Sequence, residues 1–223
     1  MGEADSHSAE HSRPAILIAD DHPLFRDALA QMVSEGFPEY RIIEADTHAS
    51  AVSAVEAVDP DLVLLDLNMP GMGGFAGLLN LRDRAPATPI AVISADETVS
   101  VVRQALTCGA SGFIPKSMPK AYIIEAVRTI LDGDTFVPFD LSESRPRAVA
   151  DDPEFAAGYA TLTPQQRRVL ELMIDGKSNK VIAYDLDVTE RTVKAHVSAI
   201  LRKLGVSSRT QAVLSAAKML GGN

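Results

Sequence analysis

Through the first 135 residues, short unbroken apolar runs alternate with stretches whose apolar positions repeat at helical spacing. Ala15 to Ala19, Arg41 to Ala45, Leu62 to Leu65, Pro89 to Ser94 and Gly112 to Pro115 read as five strands. Leu24, Phe25, Ala28, Leu29, Met32 and Val33 mark a first helix, and the spacing predicts others over 50–58, 75–84, 97–108 and 119–131. Strands alternating with helices of this length build right-handed βαβ units. The expected fold over residues 15–135 is a doubly wound, flavodoxin-like α/β domain with a five-stranded parallel sheet of order 2-1-3-4-5.

From Thr161 onward the pattern is helical throughout. Thr163-Pro164-Gln165-Gln166 starts a helix: a threonine N-cap, a proline in the first turn and a glutamine placed to close a capping box. Ser178, Thr189 and Ser208 cap three more, so residues 161–223 are expected to form a small all-α, four-helix helix-turn-helix domain. In its third helix Val193, His196, Val197, Ile200, Leu201 and Leu204 share one face and leave Arg191, Lys194, Ala195, Ser198 and Arg202 on the other. Residues 1–14 read as a disordered polar tail, and 136–160, rich in proline, arginine and acids, as a linker whose end Phe155 and Tyr159 could order by packing on the second domain.

Charge sharpens the division. The chain carries a net −9, but from Thr161 onward ten basic residues face five acidic ones, a net +5 against −14 for residues 1–160. An acidic half joined to a basic half points to a polyanionic partner for the second half alone. No apolar run approaches a membrane span, and a lone Cys108 within an apolar helical pattern reads as a buried thiol of a reducing, cytoplasmic compartment. A cationic helix face with small polar gaps suits a DNA major groove.

The polar residues of the first half fall at strand ends. Asp20 and Asp21 follow the first strand, Asp66 ends the third, Ser94 the fourth, and Lys116 follows the fifth, so all lie on one rim of the sheet, where open α/β folds bind their ligands. Converging carboxylates repel unless a cation sits between them, and carboxylate, carbonyl and water oxygens suit Mg²⁺. A carboxylate nucleophile, a metal, a hydroxyl and an ammonium together match in-line phosphoryl transfer.

The motifs Asp20-Asp21, Asp66-Leu67-Asn68-Met69-Pro70-Gly71, Ser94 and Phe113-Ile114-Pro115-Lys116 resemble the receiver domain of bacterial two-component response regulators. That resemblance implies that Asp66 accepts a phosphoryl group from a histidine kinase. It makes Asp20, Asp21, Asp66 and the backbone carbonyl of Asn68 the Mg²⁺ ligands, and Ser94, Lys116 and Phe113 the groups that respond. Phe113 stands where tyrosine is commoner, so a hydroxyl-based switch is lost. Gly176 to Ala183, Thr192-Val193-Lys194-Ala195-His196 and Lys203 to Arg209 resemble the LuxR-type helix-turn-helix. Here the resemblance puts Lys194, Ala195 and Ser198 at base-reading positions, with phosphate contacts from Arg191, Arg202 and Lys203. Gln166 replaces the family's usual glutamate.

Together the halves resemble the NarL/FixJ regulators. The resemblance implies transcription control through DNA, a receiver that masks the third effector helix, a homodimer on a near-palindromic promoter site when phosphorylated, and RNA polymerase as a candidate partner. Two rival readings are a phosphorylation-independent regulator and a rim-site phosphatase. A phosphatase of the haloacid-dehalogenase type wants a second aspartate two residues after the nucleophile, where this chain has Asn68.

Overall fold

The computed structural model describes residues 13–138, 153–206 and 208–220. The expected tail up to residue 12 and the linker stretch 139–152 lie outside the described residues.

Five parallel strands, β1 (Ala15–Ala19), β2 (Arg41–Ala45), β3 (Leu62–Asp66), β4 (Ile90–Ser94) and β5 (Gly112–Pro115), form one sheet of order β2-β1-β3-β4-β5. Helices α1 (Pro23–Gly36), α2 (His48–Val58), α3 (Phe75–Arg84), α4 (Val99–Thr107) and α5 (Lys120–Leu131) alternate with them. Continuous apolar strands are required because both sheet faces are covered. On one face Leu17, Val63, Leu65, Val92 and Phe113 pack with Ala51 and Val55 of α2, Leu78 and Leu81 of α3, and Val102 and Leu106 of α4. On the other, Ile16, Ile18, Leu62, Leu64, Ile93 and Ile114 pack with Leu29 and Val33 of α1 and with Ile123, Val127 and Ile130 of α5. Leu24, part of the apolar repeat of α1, is instead exposed at its first turn.

Register carries this packing to the rim. Ala19 pairs with Leu65, Asp66 with Ile93, and Ser94 with Pro115. The three central strands and β5 therefore end level, which brings the residues that follow them to one edge.

The second unit contains α6 (Pro153–Ala160), α7 (Pro164–Ile174), α8 (Asn179–Leu186), α9 (Glu190–Leu204) and α10 (Arg209–Leu220). The capping box of α7 forms in both directions: Gln166 N–H donates to Thr163 Oγ1 at 3.3 Å, and Thr163 N–H to Gln166 Oε1 at 3.0 Å. Ser178 and Thr189 cap α8 and α9 by the same side-chain-to-backbone bond.

Two expectations are resolved here. The end of the linker stretch is ordered: 153–160 is a helix whose Phe155 is buried in one core with Leu162, Val169 and Leu201, with Tyr159 packed against it. A single large aromatic supplied enough apolar area to order a short helix that has little periodicity of its own. His196 is only half-buried, while the core face of α9 is made by Val193, Val197, Ile200, Leu201 and Leu204. The unexpected buried residue of α9 is Lys194.

Candidate functional site

The rim assembles as the strand ends dictate. Asp20 and Asp66 are buried, Asp21 is half-buried, and the side-chain donor atoms of Asp20, Asp21, His22 and Asp66 lie within 4.8 Å of one another. Lys116 reaches in from the end of β5, its Nζ 2.6 Å from Asp20 Oδ2 and 2.9 Å from Asp66 Oδ2. Burial alone would lower the Lys116 ammonium, but its hydrogen bonds and charge contacts with Asp20 and Asp66 outweigh that and hold it above the ordinary lysine value. The ammonium also lies 4.7 Å from the centre of the Phe25 ring, a contact that fixes its approach.

Three carboxylates against one ammonium leave the pocket net negative. Asp20 Oδ2 and Asp21 Oδ1 are buried, the first against the Lys116 ammonium and the second 2.8 Å from His22 Nδ1. Oxygen donors grouped this closely, with more negative charge than Lys116 offsets, fit a hard divalent cation. Asn68 N–H donates to Asp66 Oδ1 at 3.1 Å, which orients the Asp66 carboxylate.

Ser94 and Phe113 stand further back. Ser94 is buried, its Oγ accepting from Asp96 N–H at 3.1 Å, and its carbonyl accepts from Lys116 N–H at 2.8 Å, so the β4 and β5 ends are laced together behind the rim. The Phe113 ring is fully buried between β4 and α4 in this arrangement.

The expected DNA-facing residues do not share one environment. Arg191, Ala195 and Arg202 are exposed. Lys203 is tied inward, its Nζ donating to Gln166 Oε1 and to the Thr161 carbonyl, each at 2.9 Å. The bond to Gln166 supplies neutrally the partner that a glutamate would supply with charge. Ser198 Oγ donates back to the Lys194 carbonyl at 2.9 Å.

Lys194 is docked on the first domain. Its Nζ donates to the carbonyls of Asp59 (2.9 Å) and Pro60 (3.1 Å) and lies 3.2 Å from Asp61 Oδ1. Asp59 is the left-handed C-cap of α2, so the ammonium sits where carbonyls at a helix C-terminus are free and the helix dipole is negative. Ala87 packs on the second core, Thr135 Oγ1 meets Thr210 Oγ1 at 2.8 Å, and Arg209 lies against Gly133. Asp59-Pro60 reads in sequence only as the boundary of a strand. The docking was not legible there, since no local pattern links it to a lysine in another domain.

An acidic rim closed by a lysine in a doubly wound domain, joined to a capped helix-turn-helix, defines a DNA-binding regulator of the receiver class. Residues 16–128 match the response regulator receiver domain, and residues 160–216 match the bacterial regulatory proteins of the luxR family. The glycerol metabolism activator of Pseudomonas putida is 49% identical over 207 residues, covering 90% of this chain and 94% of that one. The nitrate/nitrite response regulator NarL of Escherichia coli K12 is 36% identical over 207 residues, covering 89% and 93%. Among solved structures, a LuxR family DNA-binding response regulator from Silicibacter pomeroyi is 36% identical with a TM-score of 0.50, covering 56% of this chain and 97% of that one. The chain belongs to the family of two-component response regulators that join a receiver domain to a LuxR-type helix-turn-helix and act in transcription by binding DNA.

Proposed function

We propose that Asp66 accepts a phosphoryl group from a sensor histidine kinase and that the transfer frees α9 for promoter DNA. The observation that carries the reading is Lys194, a base-reading candidate, held by Asp59, Pro60 and Asp61 of the receiver. Asp20, Asp21, Asp66 and the Asn68 carbonyl are the candidate Mg²⁺ ligands, and the ion supplies charge neutralisation for the incoming phosphoryl group when bound. Phosphorylation adds charge at the rim; Lys116 exchanges its bond to the Asp66 carboxylate for the phosphoryl oxygens, and the Ser94 hydroxyl turns from Asp96 toward them. Since the β4 and β5 ends are laced through the Ser94 carbonyl, both move together, with Phe113 between them and α4.

The division proposed is a receiver over 15–135, a linker from 136 that ends where α6 begins, and an effector unit that includes α6. Once released, Arg191 and Arg202 meet phosphates, while Lys194, Ala195 and Ser198 face bases. Lys203, tied to Gln166, is left as a secondary phosphate contact. A twofold dimer on a near-palindromic site, assembled in the cytoplasm and contacting RNA polymerase, completes the reading. Among the described residues no helix is long and apolar enough to cross a membrane.

The test treats the full chain with acetyl phosphate and Mg²⁺, with Asp66→Ala as control, and follows intact mass, oligomeric state and promoter affinity at fixed salt. A single labile phosphate on the wild type, with tighter DNA binding, is the expected result. DNA binding unchanged by a stoichiometric phosphate overturns it.

A further inference from the structure

The seam that holds Lys194 also joins two acids. Asp61 precedes β3, and Glu190 is the first residue of α9, one turn before Lys194. Both carboxyls line one cavity of about 340 Å³ at the domain boundary, where the charge of each bears on the other. Two ionised carboxylates held together in a partly buried seam repel, and a proton on one relieves the repulsion and lets it donate to the other. Docking therefore favours a proton on one of the pair.

Which one is decided by the other partners. Asp61 Oδ2 accepts the Ala15 N–H at 2.8 Å, and Oδ1 faces the Lys194 ammonium at 3.2 Å, so its charged form is already matched. Glu190 has only the longer-range fields of Lys194 and Lys180 in its favour, from its own helix and from α8. On the receiver side it faces Asp61 and Tyr40, with Glu39 and Asp132 also bearing on Tyr40, and none of these supplies a cation.

We infer that Glu190 is a proton-dependent latch: protonated, it bonds Asp61 and keeps α9 docked on the receiver; ionised, it repels Asp61 and loosens the seam that holds Lys194. The inference rests on the docked arrangement being the masked form proposed above. Burial first, and the facing Asp61 carboxylate second, push the Glu190 carboxyl up to about 7 from 4.5. Docking thus takes up a proton. It is fully favoured below the ordinary glutamate value and weakens as pH rises toward about 7, beyond which it changes no further through this group. The Tyr40 phenol, pushed up to about 12 chiefly by burial and then by Asp61 and Glu190, stays neutral through that window.

The test measures docking itself. Full-length Cys108→Ser protein carrying Ser53→Cys and Tyr184→Cys, both at exposed positions, is labelled with a pH-insensitive dye pair. Energy transfer is followed from about pH 5 to pH 8 with a chelator and without a phosphodonor. The docked-to-open ratio is expected to fall by at least about tenfold over this range, and Glu190→Gln, a neutral hydrogen-bonding mimic, to stay docked with no pH slope. A docked population with a flat profile overturns the latch and leaves the masking reading standing, as does an unchanged slope in Glu190→Gln. A wild type that is open at every pH overturns both.

Discussion

The Lys194 ammonium lies 3.2 Å from Asp61 Oδ1, so a candidate base-reading group is held by the domain that receives the signal. Both side chains are mostly buried, and the pair is screened little by solvent. Reversing the charge with Asp61→Lys sets two ammoniums face to face. Promoter affinity of the full chain without phosphodonor should rise at least about tenfold at fixed pH and salt, as expected for losing one partly buried charge contact. Fluorescence anisotropy with a labelled promoter fragment reads this directly; affinity equal to the wild type would show that the contact does not restrain α9.

At the rim, Lys116 and a divalent ion serve the same carboxylates by different means. Lys116→Met leaves Asp20 and Asp66 buried without their cation and should destabilise the metal-free protein by about 3 kcal/mol. Mg²⁺ should restore much of that loss, since an ion bound only by the folded state stabilises it in proportion to the logarithm of its concentration. The Mg²⁺-induced rise in Tm is expected to be larger in Lys116→Met than in the wild type, and to vanish in Asp20→Asn. Equal rises in all three would place the ion elsewhere.

Much of this arrangement was legible from residue order. Doubly wound topology follows from five apolar runs separated by helical spacing, and a level rim follows from the topology, so Asp20, Asp66, Ser94 and Lys116 could be gathered before any coordinate was known. Helix starts were equally plain, since Thr163, Ser178 and Thr189 act within a turn of their own chain. What escaped were relations with no local signature. Lys194 reads as a solvated groove-facing lysine because its partners are two backbone carbonyls and two acids, Asp59 and Asp61, from a distant loop. For α6 the sequence offers only two aromatics, Phe155 and Tyr159, that could order the linker's end, and not the helix itself, because that order comes from a core built by later helices.

Tyr40 supplies a pH dependence separate from the latch. Its phenol is pushed up to about 12, chiefly by burial, and then by Asp61 and Glu190. An acid whose value is raised by folding holds its proton more tightly in the folded chain. Stability tied to it is complete below the ordinary tyrosine value of 10.0 and is lost as pH rises toward about 12. Tyr40→Phe cannot ionise, so its Tm should gain on the wild type as pH rises from about 9 to 11, in paired calorimetric scans.

Gly158 decides how closely α6 approaches α9. A Cβ placed there would run into the Lys203 carbonyl oxygen and crowd Leu204 Cα, which are backbone atoms and cannot turn aside as a side chain does. Gly158→Ala must therefore push α6 away, and with it Phe155, which is buried in the second core. Overpacking of this kind costs about 1–3 kcal/mol, and loss of the Phe155 contacts adds to it. Denaturant unfolding should show the loss, and amide exchange should localise it to α6 and the end of α9, leaving the β-sheet protected. Were 153–160 only a tether between domains, the substitution would be silent, and a wild-type unfolding midpoint in Gly158→Ala would return the helix to the linker.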